Sequence, residues 1–323
     1  MAVITSKQVL LLIITLCLAT LCVSSHVSAS PFSTLNIDLL GRGGGTHGLV
    51  AAAGEIDNIL WNSSGLGFAG SPAFAAGYMD YLVSLGGGTA AYMGVGERFG
   101  YGIQGSYLSS DTYAKTGLDD QVGQSGDTFK YGDLVLGVSG GVRLLPYLSV
   151  GTGLKLARYE LDDVTGSGVA ADLSSTVRIY PLDGTKERRP AVYASLVTRN
   201  LVLVRWQNED GEIPSNCEAG LALRLPGNDL SAGTSVYMGD SGRREIRFGL
   251  AARPSSEFEV RLGYRRRVGK FSDSANGLPW ERGIMAGFGI GFGRFWIDYT
   301  FEDASPLDNI HRFALRTDLA RGD

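Results

Sequence analysis

Phe295-Trp296-Ile297-Asp298-Tyr299-Thr300-Phe301-Glu302 alternates without a break. Phe295, Ile297, Tyr299 and Phe301 fall on one face, and Trp296, Asp298, Thr300 and Glu302 on the other. A repeat of two is the signature of a strand with unlike faces. The neighbouring stretches read the same way. Ile284, Ala286, Phe288, Ile290 and Phe292 alternate with Met285 and glycines, and Phe258, Val260, Leu262 and Tyr264 with Glu259, Arg261, Gly263 and Arg265. In the last segment Phe313, Leu315 and Leu319 oppose Arg312, Ala314, Arg316 and Asp318.

Working outward, fourteen such segments are expected, near 71–84, 87–99, 101–110, 128–143, 147–161, 166–181, 190–200, 216–225, 229–239, 243–252, 257–268, 281–293, 294–302 and 310–319. They are long for ordinary strands, but a tilted strand needs about 9–11 residues to cross a bilayer. One face is apolar; the other carries glycine, serine and charge. That suits a barrel with lipid outside and a polar lumen. The expected fold is therefore all-β, a transmembrane antiparallel barrel over 70–323. Phe288 and Ile297 should face lipid, and Gly289 and Asp298 the lumen. Connections at 111–127, 201–215 and 269–280 read as extracellular loops, and those at 85–86, 144–146 and 226–228 as periplasmic turns.

Composition agrees. Charged residues are 19% and mean hydropathy is +0.05. The 46 glycines are about twice the usual share. A net charge of −4 gives no basic field for nucleic acid. Residues 1–29 read as a signal peptide: Lys7, an apolar run from Val9 to Val23, then Val27-Ser28-Ala29 before Ser30. A membrane anchor is the competing reading, and the run is short for one. Cys17 and Cys22 would leave with the peptide, so Cys217 alone would remain, too few for a disulfide or a cysteine metal site. Residues 30–69, with Gly41 to Gly45 and Ala51-Ala52-Ala53-Gly54, lack alternation and form a separate N-terminal segment.

Catalytic constellations are missing. His47 and His311 lack metal-ligand spacing, Gly166-Ser167-Gly168 is a turn rather than a nucleophile elbow, and Gly41–Gly45 is not followed by Gly-Lys-Ser/Thr. Asp162-Asp163 reads as a solvated turn in preference to a calcium site. The expectation is no enzyme and no cofactor. The inward face should carry Arg143, Lys155, Asp172, Arg178, Arg247, Glu259, Arg261, Asp298, Arg312 and Arg316, with Arg199, Arg224, Arg265 and Glu302. A structural network of paired charges is the favoured reading, and an anion-attracting path the other.

Three stretches resemble the PorV/PorQ family, relatives of FadL-type hydrophobic-compound transporters. They are Asp57 to Leu66 (DNILWNSSGL), Tyr159 to Leu173 (YELDDVTGSGVAADL) and Trp296 to Leu315 (WIDYTFEDASPLDNIHRFAL). The resemblance implies a fourteen-stranded barrel in the bacterial outer membrane with residues 30–69 as a plug. It carries Asp57, Trp61, Asn62, Gly65 and Leu66 over as plug residues near a hydrophobic ligand, with Trp61 and Leu66 packing onto the inner wall. The chain departs at Asn62-Ser63-Ser64, where the family has Asn-Pro-Ala, and in running past Leu319 to Asp323 where the family ends on an aromatic residue. Passage or binding of a small hydrophobic compound is the expected function. An accessory role in type IX protein secretion, with a secreted cargo protein as partner, and a purely structural barrel are the alternatives. Outer-membrane lipid and the barrel-assembly machinery are the other implied partners.

Overall fold

A computed structural model describes residues 32–42, 49–81, 84–116, 121, 123, 126–180, 190–206, 213–225, 230–239, 242–268, 282–303 and 309–319. The signal peptide expected at 1–29, His47, the turn expected at 226–228 and the loop expected at 269–280 lie outside these residues.

Sixteen strands follow in chain order. They are β1 (Ala73–Tyr81), β2 (Leu85–Val95), β3 (Phe99–Ser110), β4 (Tyr113–Ala114), β5 (Thr128–Phe129), β6 (Tyr131–Leu145), β7 (Leu148–Leu161), β8 (Val164–Tyr180), β9 (Ala191–Trp206), β10 (Asn216–Arg224), β11 (Leu230–Gly239), β12 (Arg244–Ser255), β13 (Phe258–Arg267), β14 (Arg282–Phe292), β15 (Phe295–Asp303) and β16 (Asn309–Asp318). Short β4 and β5 pair only with each other; the other fourteen form one closed barrel. Every neighbouring pair is antiparallel, and β1 closes on β16 from Ala73↔Asp318 to Asp80↔His311. Closure leaves no unpaired edge, the condition for a sheet to cross lipid.

The alternation in the sequence sets the two faces. Ile297 is 52% exposed while its neighbour Asp298 is 1% exposed. Phe288 points out and Gly289 is buried. The first and last barrel residues, Ala73 and Asp318, share one end of the barrel with the tight turns after β2, β6 and β14. The connection after β1 lies at the opposite end with the long 111–130 connection, so the turn expected at 85–86 is on the loop side. Since β1 starts at the end where β16 finishes, its far end must be the loop end.

β9 also runs further than the alternation implies, to Trp206. Asn200 takes a positive φ of 59°, and the β8–β9 register shifts between Ala171 and Leu173. The bulge turns Arg199 and Asn200 inward in succession, and both are buried. It breaks the two-residue rhythm, so the strand looks finished at that point when read from sequence.

The N-terminal segment lies inside the barrel. Its apolar side chains pack mostly on one half of the wall. Leu40, Ile56, Ile59 and Leu66 cluster with Ala75 of β1 and Met93 of β2, and Phe32 and Leu35 with Val135, Tyr159 and Ala170 of β6–β8. Ala51–Ala53 pack on Tyr193 of β9 and Ala222 of β10, and Leu39 on Ile310 of β16, while β13–β16 also meet the segment through polar contacts of Arg42, Gly41 and Asp38.

Candidate functional site

The inserted segment is held by a compact turn. Asn58–Trp61 makes one helical turn, and Ser63–Phe68 a 3-10 helix. Between them stands Asn62, which is buried. Its Nδ2 donates to the Val50 carbonyl at 2.9 Å and to Thr176 Oγ1 of β8 at 3.1 Å, and its Oδ1 accepts from Ser64 Oγ at 2.6 Å. Asn58 works likewise, donating to the Ala52 carbonyl and accepting from the Glu55 amide. These side chains satisfy backbone groups that a helix this short leaves open. Gly65 is required where it stands, because a Cβ there would meet the Asn58 carboxamide at 2.5 Å.

The wall receives this turn at very short range. A Cβ at Gly100 would collide with the Leu66 carbonyl, at Gly141 with the Ser63 carbonyl, and at Gly151 with the Ser64 amide. A hydroxyl layer completes the contact: Ser63 with Ser174 at 3.1 Å, and Ser64 with Thr176 at 2.7 Å.

Of the residues anticipated at the site, Leu66 is fully buried against the apolar half of the wall. Trp61 is placed differently. It is only half-buried, and the Arg199 guanidinium stands 4.9 Å from its ring centre while donating to its carbonyl. Trp61 is thus held by a cation, and Ile59 takes the apolar contact beside Leu66. Asp57, before the helical turn, makes no capping hydrogen bond, and its Oδ1 has no partner.

The charged half of the wall is a chain of ion pairs. Glu218 meets Arg199 at 2.7 Å and Arg247 at 3.2 Å, and Arg247 also meets Glu245 at 2.8 Å. Glu259 meets Arg253 at 2.8 Å and Arg261 at 3.3 Å; Arg261 meets Asp298 at 2.8 Å, which reaches Arg316 at 3.5 Å. Glu302 holds Arg265 and Arg312, each at 2.7 Å. On β7 and β8, Lys155 pairs with Asp172 at 2.7 Å, and Asn200 of the β9 bulge caps both. Two residues of the inserted segment join in: Arg42 bridges Glu55 and Glu259, and Glu55 also meets Arg224 of β10.

Arg143 and Arg178 stand outside this network, contrary to expectation. Arg143 donates to the Glu97 carbonyl in the turn after β2, and Arg178 lies over the rings of Phe68 and Tyr193. Both sit near the barrel end where β1 begins and β16 finishes, away from the carboxylates. Glu218 and Glu245, which the reading of charges passed over, are hubs; their alternation with Gly220 and Arg247 on the inward face is the signal that marks them. Arg42 and Glu55 sit in the segment without alternation, where no pattern singles them out.

Between segment and charged wall lies a chamber of about 80 Å3, lined by charged side chains such as Glu55, Asp57, Arg224 and Arg261 together with Leu49, Val50 and Trp61. Burial works against the charged form of Glu55, but Arg42 and Arg224 outweigh it and hold its pKa at about 2. Burial also raises Asp57, and here it prevails over Arg42, with Asp38 and Glu55 adding to it, so the pKa is pushed to about 7.

An apolar hollow lies on the other side of the wall. Leu196 of β9 faces outward with its cross-strand partners Ser175 and Ala219. Yet it is only 6% exposed, against 49% for Leu154 and 50% for Leu221 on the same outer face. It forms the floor of a recess of about 440 Å3 across β6–β9, rimmed by Val142, Val150, Leu173 and Leu201. The recess lies where Gly141 and Gly151 press inward onto Ser63 and Ser64. Small residues let the wall approach the segment on the inside and leave a hollow outside.

No protein-family profile matches the chain, and no curated protein matches it in sequence. Among solved structures, the CymD monoaromatic hydrocarbon channel is similar at 12% identity, over 90% of this chain and 99% of that one, with a TM-score of 0.59. A deltaS2 mutant of the TodX monoaromatic hydrocarbon channel is similar at 11% identity, over 87% of this chain and 98% of that one, TM-score 0.55. A Pseudomonas aeruginosa FadL homologue follows at 11% identity, 88% and 99% coverage, and TM-score 0.53. The resemblance to FadL-type proteins thus has a counterpart in fold, while the narrower kinship to PorV/PorQ has none in these comparisons. The fold of this chain is that of the FadL-type barrels.

Proposed function

We propose that this protein is a bacterial outer-membrane barrel that binds and passes a small hydrophobic compound, and that the compound is taken up at the recess over β6–β9. The observation that carries this reading is the hollow above Leu196. Its volume of about 440 Å3 falls within the range of small-molecule sites, roughly 300–1,000 Å3. It opens on the lipid-facing side, where an apolar solute is already concentrated. Behind it stands only the hydroxyl layer of Ser174, Thr176, Ser63 and Ser64, beyond which lie Ile59 and Leu66. The kinship in fold to hydrocarbon channels supports the same class of ligand. The chamber inside, at about 80 Å3, is too small for such a compound, which argues against a straight path along the barrel axis.

Filling the recess tests the reading. Ser175→Trp places an indole beside Leu196 on the outward face and leaves the inner wall unchanged. Binding of a naphthalene-class fluorophore to the purified barrel should fall at least tenfold, a loss of about 1.4 kcal/mol. Unchanged binding by a variant that still migrates as a heat-modifiable barrel would remove the recess from the account.

A further inference from the structure

The outer face of β12 and β13 at the loop end carries a second feature, unrelated to the recess. Arg243-Arg244 and Arg265-Arg266-Arg267 are the densest basic runs in the described barrel. Strand alternation splits them. The inward members have carboxylates: Arg243 meets Glu245, Arg265 meets Glu302 at 2.7 Å, and Arg267 reaches Glu245 at 4.0 Å. The outward members, Arg244 and Arg266, are exposed, and neither side chain has an ion pair or hydrogen bond among the described residues. Arg266 stands directly opposite Ile246, two positions beyond Arg244, and Arg282 of β14 occupies the register position on its other side. Diagonal neighbours of this kind are roughly 7–8 Å apart, close enough to repel and to share one anion.

What lies below them defines the setting. Phe248 and Leu250 on β12, Leu262 and Val260 on β13, and Ile284 on β14 are exposed apolar side chains on the same outward face. The arginines therefore cap a lipid-facing belt at its rim, the depth at which lipid headgroups sit. No acidic side chain is described on that outward face of β12 and β13. At the other end of the barrel, β13 begins with the exposed Phe258 and β14 ends with the exposed Phe292. A guanidinium matches phosphate oxygens in a fork, and two of them side by side match a terminal phosphate better than a zwitterionic diester.

We infer that Arg244 and Arg266 form a binding site for the phosphate of an anionic lipid in the leaflet at the loop end. The inference rests on the membrane-barrel reading but not on hydrophobe uptake, and its test separates the two. Wild-type protein and the R244Q/R266Q double variant are reconstituted in phosphatidylcholine vesicles, with and without phosphatidic acid. Protease protection of the strands in phosphatidylcholine alone checks insertion; failure to insert would overturn the membrane reading and the inference with it. With both proteins inserted, phosphatidic acid should raise the thermal midpoint of the wild type. The double variant should need roughly 30-fold more of the lipid for the same rise, about a five- to sixfold factor for each arginine. An equal response from both proteins would overturn the inference, as would reproduction of the wild-type response by inorganic phosphate in phosphatidylcholine vesicles. Fluorophore binding at the recess should be the same in both.

Discussion

Asn62→Ala should release the inserted segment while leaving the barrel intact. The substitution removes the hydrogen bonds to the Val50 carbonyl, to Thr176 and from Ser64, at 2.9, 3.1 and 2.6 Å. Buried hydrogen bonds contribute about 0.5–1.5 kcal/mol net each, and a buried group left unpaired costs about 1–3 kcal/mol. Thr176 and Ser64 still have each other at 2.7 Å, so only the Val50 carbonyl is fully orphaned. The sum is about 2–4 kcal/mol against the seated segment. None of it falls on strand pairing, because no barrel ladder includes residues 49–69. Amide hydrogen exchange reads the difference directly: protection at 52–66 should drop roughly 30- to 700-fold, while the ladders of β11–β14 stay as protected as in the wild type. A change below about threefold at 52–66 would refute the hydrogen-bond account. Equal loss throughout the barrel would refute the independence of segment and wall.

Three further outcomes follow from the same contacts. Glu55 has its pKa lowered from 4.5 to about 2, so its contribution is present above about pH 4.5 and is lost as pH falls toward 2; Asp57 is raised from 3.8 to about 7, so its contribution is full below about pH 3.8 and is lost as pH rises to about 7. With Arg42, Arg316 and Asp38 facing these carboxyls, protease resistance of the segment should be greatest near about pH 4 and fall as pH rises toward about 7, and Asp57→Asn should remove that fall. Gly151→Val, which collides with the Ser64 amide, should expose the segment to protease, whereas Gly132→Val, where nothing lies within 4 Å of a Cβ, should not. Glu259→Gln leaves Arg42, Arg253 and Arg261 short of a counter-charge and should cost about 3–5 kcal/mol, measured as a lower thermal midpoint for loss of heat-modifiable migration.

The barrel was legible because lipid outside and a packed lumen inside impose opposite demands on successive residues, and Phe295 to Glu302 answers them one by one. Where backbone geometry interrupts that rhythm, the pattern misleads. Asn200 with its positive φ puts Arg199 and Asn200 on one face, and β9 continues for six residues beyond it. Inward charges were recognisable by position, but their partners were not, since Glu218 and Arg199 lie on neighbouring strands whose register only the fold sets. Asp57 to Leu66 drew notice as a motif, yet the tasks within it are divided otherwise than hydrophobicity implies: Leu66 and Ile59 pack, Trp61 lies against a guanidinium, and Asn58 and Asn62 tie the turn. The recess has no sequence signature of its own. It arises because glycines on β6 and β7 let the wall sink onto Ser63 and Ser64, and only three dimensions place Leu196 beneath the surface.

On the proposed function, the hydrophobic compound enters through the wall above Leu196. Diffraction from crystals soaked with a brominated monoaromatic compound tests it most directly, because the anomalous signal locates the ligand without a mutation. The account predicts a bromine peak within the recess bounded by Val150, Leu173 and Leu201. A peak along the barrel axis, with the recess empty in the same crystal, would contradict it.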